Sequence, residues 1–423
     1  MTSQIRYDNN SLYIEGLPAT ALAEKYGTPL YVYSANQAAD NYRLLRDSFD
    51  IIDGIRFLYA LKANSNPEIL KLISALGAGA DTVSAGEIFL ALRSGFAPES
   101  ISLAGVGKTD DDLDFALTRN IGTIIAESDE ELQVISQRAS KIGRTAHVSL
   151  RINPDVDART HPHISTGLKD NKFGINIDRA LDSAKVAANL KNVEFAGIHS
   201  HIGSQITEVE PFAEAVRSIA EFVDKLGKEG IRVSQIDLGG GIGVRYKNAL
   251  THDLIPVENN SEHPIDLRSL SQVIKNGFSS LDCELVMEPG RFVIAESGVL
   301  LTRVLYRKES SGRKFVIVDA GMNDMMRHAL YSAYHQIAPV ELSVSKSVMV
   351  DVVGPVCEST DVFAVQREMP EVKRGDLLAI LTTGAYGYSL SSNYNSRLKP
   401  AEVLVDEDYA RVIRDRDTME DLV

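Results

Sequence analysis

The sequence predicts an α/β protein: a TIM-like (β/α)8 barrel joined to a second, mostly β domain. Three observations carry that prediction. Eight short runs of β-branched and apolar residues alternate with helical patterns between residues 55 and 288. The span of about 235 residues suits a closed eight-fold barrel. Beyond residue 290 the helical patterns give way to successive strand-like runs. An open, doubly wound sheet is the other topology that such alternation allows.

The elements follow in order. Ser11 to Gly16 reads as a strand and turn, and Pro18 to Tyr26 as a helix with proline at its start and Gly27 at its end. Thr28 to Tyr33 is extended, and Ala35 to Phe49 has helical spacing. The barrel strands are expected at 55–60, 79–83, 100–104, 121–126, 146–152, 193–200, 233–238 and 283–288. Between them lie helical patterns that open with acids or proline and close near glycine. Further strands are expected at 299–306, 314–319, 347–353, 376–381 and 401–405. The barrel is therefore assigned to residues 30–292, and the β domain to 1–29 plus 293–423. The strand near Leu12 is placed with the β domain, because chain ends often lie close together.

A net charge of -14 argues against a nucleic-acid partner and against an anionic membrane surface. No apolar run approaches the ~20 residues that span a bilayer, and Met1 to Asn10 lacks the apolar core of a signal peptide. Two cysteines, Cys283 and Cys357, make no disulfide framework. A reducing cytoplasm is the expected compartment.

Polar residues gather at one end of the expected strands, where barrels of this class carry their chemistry. Lys62 ends the apolar run Ile55 to Leu61. Burial there favours the neutral amine that attacks an aldehyde, so Lys62 is the Schiff-base candidate; a strand-end lysine in water is the alternative. Asp81 lies within the second strand, Arg151 and Asn153 end the fifth, and His199 and His201 end the sixth. Asp237 leads into Gly239, Gly240 and Gly241 after the seventh, and Glu288-Pro289-Gly290-Arg291 closes the eighth. Three glycines let backbone amides approach a phosphate, with Ser204 and Arg291 as further donors; a plain tight turn is the alternative. His201 has the flat ring to stack on an aromatic cofactor, or it is a core histidine. Zinc is the rival for the His199/His201 pair, but no cysteine or third histidine lies near to complete a closed site. Glu288 suits the nitrogen of a pyridine ring: a carboxylate there keeps the ring protonated and electron-withdrawing, as decarboxylation requires.

With these residues assembled, the chain resembles the diaminopimelate decarboxylase family of fold-type III pyridoxal-phosphate enzymes. Tyr59-Ala60-Leu61-Lys62-Ala63-Asn64, His201-Ile202-Gly203-Ser204, the glycine triplet and Glu288-Pro289-Gly290-Arg291 carry the likeness. The resemblance implies pyridoxal 5'-phosphate as cofactor, bonded by Lys62, with His201 on its ring and Glu288 at its nitrogen. Ser204 and Gly239 to Gly241 would hold its phosphate, and Asp81, Pro289, Gly290, Arg291 and Tyr386 complete the cofactor-binding set. No metal is expected.

Met322 to Tyr331 resembles the family's segment for the distal end of diaminopimelate, with Arg327 and Tyr331 at the matching positions. His328 stands where the family usually has proline. Gly354-Pro355-Val356-Cys357-Glu358-Ser359 resembles a segment supplied by a partner subunit, with Cys357 as proton donor and Glu358 on the distal ammonium. Gly384-Ala385-Tyr386-Gly387 matches too, and His161 to Gly167 with Lys172-Phe173-Gly174 resembles the loop over the site. The implied substrate is meso-diaminopimelate, bound by Arg291, Arg327, Tyr331, Glu358 and Tyr386 in a homodimer with shared active sites. The implied reaction is its decarboxylation to L-lysine. Decarboxylation of another basic amino acid or of carboxynorspermidine is the rival activity, and a non-enzymatic cofactor-binding protein is the rival class.

Overall fold

The computed structural model describes residues 3–158, 171–257 and 264–423. It contains two compact units: Tyr42–Gly243 with Pro264–Gly290, and Met1–Asn41 with Val244–His263 and Arg291–Val423.

The first unit is a closed parallel barrel. Its strands run in ring order Arg56–Ala60, Gly79–Thr82, Ile101–Leu103, Thr123–Ala126, Ala146–Asn153, Val193–His199, Gln235–Asp237 and Glu284–Met287. The last returns to the first, with Val286 opposite Arg56 and Met287 opposite Phe57. That closure rules out the open sheet. Strands buried on both faces read as continuous apolar runs, as Phe57 to Ala60 does.

The helices between the strands start where short polar side chains satisfy the first free backbone N–H groups. Asn66, Ser84, Thr109, Ser128, Asn176 and Asp266 each accept from a backbone N–H one turn into a helix. Each such cap is worth about 1 kcal/mol. Thr109 and Asp112 cap each other reciprocally. The long helix Glu210–Lys228 buries Phe212, Val216, Ile219, Phe222, Val223 and Leu226, the spacing of one apolar helix face.

The second unit is built on a mixed sheet of seven strands in one path. Gly298–Ser310 lies at its centre, antiparallel to Leu30–Ser34, which in turn runs parallel to Ala401–Asp406. Arg313–Val318, Ser347–Val353 and Val362–Pro370 extend it on one side, and Tyr409–Arg414 on the other. Leu377–Ile380 pairs with both Gly298–Ser310 and Ile337–Pro339.

The strand Ser11–Ile14 does not enter this sheet. It pairs with Ile5–Asp8 and Leu17–Pro18 in a small antiparallel meander. Asn9 and Asn10, with φ of 48° and 67°, supply the left-handed turn that folds it back locally. The meander joins the unit's core through Leu12 and Ile14, which pack in one cluster with Leu30, Val32, Val299 and Val403. Among the described residues, no helix is long and apolar enough to cross a membrane.

Candidate active site

The barrel carries its polar residues at the carboxyl ends of the strands. After the first strand the chain makes a single turn, Leu61–Ala63, which projects Lys62. Lys62 Nζ lies 3.2 Å from Asp81 Oδ2, at the end of the neighbouring strand. The expected burial of the lysine is incomplete: its side chain keeps 42% exposure, and the desolvated partner is Asp81, at 1%. The turn lifts the amine off the strand, while Asp81 stays within one.

The eighth strand ends against that same turn. Pro289 O accepts from Ala60 N–H at 3.3 Å. A Cβ on Gly290 would lie 3.0 Å from that of Ala60 and 3.1 Å from that of Ala63. Glu288 is thereby brought into the electrostatic reach of both Lys62 and Asp81. Glu288 Oε2 accepts from His199 Nε2–H at 3.0 Å, both side chains being buried. Its other oxygen, Oε1, is buried without a hydrogen-bond partner among the described residues, as is Asp81 Oδ1.

Three buried acids share this end of the barrel, and their surroundings drive them apart. Burial and the charge of Glu288 push Asp237 well above the usual carboxylate range. Burial and Glu288 also raise Asp81, against the pull of Lys62. Burial works on Glu288 in the same direction, but His199, Lys62 and His201 overcome it and hold that carboxyl low. Glu288 is thus the acid held low and Asp237 the one held high. Ligand atoms of His199, Asp237 and Glu288 lie within 4.8 Å of one another, a spacing a metal could use. The His199–Glu288 hydrogen bond accounts for the closeness of those two.

The loops after strands six and seven run side by side. Ser200 N–H donates to Asp237 O at 2.8 Å, and Ile206 N–H to Gly241 O at 2.9 Å. Ser204 therefore lies in the strip that borders the glycine triplet. None of the three glycines tolerates a side chain. A Cβ on Gly239 would lie 2.7 Å from Ser200 O, on Gly240 2.3 Å from Glu288 O, and on Gly241 2.6 Å from Gly203 O. Gly239 N–H already donates to Asp237 Oδ1 at 2.8 Å and Gly240 N–H to His201 Nδ1 at 3.1 Å, which leaves the Gly241 amide for an anion. Burial, with Lys62 and Arg151, holds His201 well below the ordinary histidine range, so its ring is neutral. A crowded glycine strip, a neutral flat ring and a buried carboxylate oxygen without a partner together suit a phosphorylated pyridine.

Glu127 braces this end from the fourth strand. It pairs with Arg151 at 3.2 Å and accepts from Gly174 N–H at 2.9 Å, while Arg151 lies over the Phe173 ring at 4.6 Å. Lys172, Phe173 and Gly174 are thus anchored to the barrel. His161 to Gly167 lie outside the described residues.

In the second unit, the starts of two short helices, Arg291–Ile294 and Arg327–Tyr331, and the segment that carries Tyr386 come together around Tyr246. Both arginines donate from Nη1 to Tyr246 Oη, Arg327 at 2.8 Å. The guanidinium of Arg291 also lies 4.9 Å from the ring centre of Tyr386, whose backbone is left-handed at φ 57°. Tyr331 closes the short helix Arg327–Tyr331 and lies within electrostatic reach of Arg291. His328, in the same helix, is half-buried, and burial lowers its pKa. Cys357 and Glu358 are exposed instead. Among the described residues, no hydrogen bond or ion pair joins either to the arginines. Cys357 N–H donates to Asn395 Oδ1 at 2.7 Å, and Asp361 accepts from Met322 N–H and Val356 N–H, both at 2.6 Å, which fixes the loop that presents them.

Sequence reasoning passed over His199 as the partner of Glu288, and over Tyr246 and His335 altogether. Period-two alternation puts His199 and His201 on one face, which hides that they serve different partners. Tyr246 and His335 carry no local signal.

Residues 37–295 match the family described as pyridoxal-dependent decarboxylase, pyridoxal binding domain. A diaminopimelate decarboxylase of Aquifex aeolicus is 42% identical over 419 residues, covering 99% of this chain and 96% of the relative. The crystal structure of diaminopimelate decarboxylase from Helicobacter pylori complexed with L-lysine superposes with a TM-score of 0.88 at 43% identity, over 95% of this chain and 98% of that one. The M. jannaschii enzyme, also in complex with L-lysine, gives 0.92 at 38% identity, over 99% and 96%. The fold is that of a pyridoxal-phosphate-dependent decarboxylase. Within that class the chain belongs to the diaminopimelate decarboxylase family. Membership in a family of enzymes matched over its full length removes the non-enzymatic alternative.

Proposed function

We propose that this chain converts meso-diaminopimelate to L-lysine and CO2, with pyridoxal phosphate as its cofactor. The observation that carries this reading is the state of Glu288: a buried carboxylate kept ionised by His199, with one oxygen lacking a hydrogen-bond partner among the described residues. Bound pyridoxal phosphate supplies a protonated ring that withdraws electrons from the bond to the departing carboxylate. Glu288 would hold a proton on the ring nitrogen. Lys62 would hold the cofactor aldehyde through its side-chain amine. Asp81, 3.2 Å from Lys62 Nζ, orients that amine and exchanges a proton with it. His201 would lie neutral against the ring, and Ser204 with the Gly241 amide would hold the phosphate. Pro289 and Gly290 set the Glu288 turn against the Lys62 turn.

Arg291 and Arg327 take the distal carboxylate by forked hydrogen bonds, with Tyr331 and Tyr386 beside it. This buried pair of cations favours diaminopimelate over ornithine or carboxynorspermidine, whose distal ends are amines. Glu358 takes the distal ammonium, and Cys357 gives the proton that replaces CO2. Their exposure supports a role across a homodimer interface. The exposed thiol of Cys357 also suits a reducing cytoplasm.

Incubation with meso-diaminopimelate and cofactor should release CO2 and L-lysine in equal amounts. Preferential turnover of ornithine or carboxynorspermidine would refute the substrate assignment. Mixed Lys62→Ala and Cys357→Ala chains should regain activity that neither has alone. No recovery after demonstrated subunit exchange would refute sharing.

A further inference from the structure

We propose that Tyr246 and His335 are positioning residues for recognition of the distal carboxylate: Tyr246 sets the spacing of Arg291 and Arg327, and His335 orients Arg327. The inference rests on the reading above that these arginines bind that carboxylate. It goes beyond it by naming what holds them.

Two guanidinium groups that share one acceptor atom are like charges at close range, in surroundings from which water is largely excluded. Such a pair drifts apart unless something bridges it. The Tyr246 hydroxyl is that bridge. Its oxygen has two lone pairs and accepts an N–H from each arginine. Its ring adds a second attraction, with the guanidinium carbons 5.8 Å (Arg291) and 4.7 Å (Arg327) from its centre. All three side chains are buried, so these contacts are not diluted by solvent.

His335 acts on Arg327 alone. Its Nδ1–H donates to Leu381 O at 2.8 Å, which makes Nε2 the acceptor for Arg327 Nη1–H at 2.9 Å. Burial and the charge of Arg327 keep the ring neutral. The Tyr246 and His335 rings meet edge to face, with centres 5.0 Å apart. Both acceptors engage Nη1. The other N–H groups of Arg327 make no hydrogen bond among the described residues, and no carboxylate there pairs with it. A buried arginine pinned by two neutral acceptors keeps its charge for an anion.

The test compares two competitive inhibitors of the holoenzyme. L-lysine retains the carboxylate in question, and 1,5-diaminopentane is the same molecule without it. Tyr246→Phe keeps the ring and removes the bridge. It should raise KM for meso-diaminopimelate and the inhibition constant of L-lysine by about ten- to a hundred-fold, the scale of losing a hydrogen bond to a charged group. Its kcat should fall by less, and 1,5-diaminopentane should bind as before, with the visible spectrum of the bound cofactor unchanged. His335→Gln should shift the same two constants by a smaller factor, and it carries the test if Tyr246→Phe does not fold. Arg327→Lys is measured alongside. If Arg327→Lys weakens L-lysine and neither Tyr246→Phe nor His335→Gln does, the positioning role is wrong and the arginine reading stands. If Arg327→Lys leaves L-lysine binding unchanged, the arginine reading itself falls. Equal weakening of L-lysine and 1,5-diaminopentane in Tyr246→Phe means general damage and overturns the proposal.

Discussion

The barrel end and the β unit both bury charge, and they stabilise it differently. At the barrel end, one ionised acid, Glu288, is held by His199, Lys62 and His201, and its charge raises its neighbours Asp81 and Asp237. In the β unit, Arg327 is held by a phenol and an imidazole. Elsewhere, buried charges meet opposite charges: Lys108 with Glu131, Arg151 with Glu127, and buried Glu402 with the more exposed Arg414. Those pairs serve the fold. A buried charge without a full counter-ion costs stability. Glu288 and Arg327 are such charges, and the cofactor's ring nitrogen and the substrate's carboxylate are the partners that would complete them.

Three substitutions break or sharpen that contrast. The largest effect is expected for Lys62→Ala, which should lower CO2 release by about three orders of magnitude or more and abolish the visible absorbance of the lysine-bound cofactor. Near-normal turnover would remove the barrel end from the chemistry. Glu288→Gln keeps the shape and removes the charge. Cofactor should still bind while kcat drops by roughly 10²–10³-fold, the range for losing one electrostatic stabiliser. An unchanged kcat would mean that the ionised acid has no catalytic use.

The smallest effect concerns a buried acid with no functional partner. Asp324 accepts from Gly321 N–H and Asn323 Nδ2, both at 2.8 Å, and burial raises its pKa from 3.8 to about 7. The folded carboxyl therefore binds its proton more tightly than the unfolded one. Between pH 3.8 and about 7, stability should fall as pH rises, relative to Asp324→Asn. The gap between the two proteins should change by about 1.4 kcal/mol per pH unit in that window. Urea unfolding at several pH values measures it, and a constant gap would contradict the account.

The barrel end was legible because strand chemistry is local. An apolar run of five or six residues, then a lysine, an acid or a glycine, marks both the strand and the rim it points to. Repetition of that pattern indicated closure as well. The β unit was less legible, because its arrangement depends on partners distant in sequence. Leu30–Ser34 pairs with Ala401–Asp406, and nothing in either run names the other. Ser11–Ile14 stayed in its own meander because two asparagines before it turn the chain back. Tyr246 follows the glycine strip in sequence but belongs to the β unit, where its role depends on Arg291 and Arg327 arriving from other segments. Arg327, Cys357 and Tyr386 were reached only by resemblance.

The central claim is that one amine, that of Lys62, carries the cofactor. Borohydride reduction of the holoprotein fixes the pyridoxyl group on whichever lysine holds it, and peptide mass mapping then locates it. The account predicts the label on Lys62 and its loss when diaminopimelate is added before the reductant. A label on another lysine, or none with cofactor bound, would contradict it.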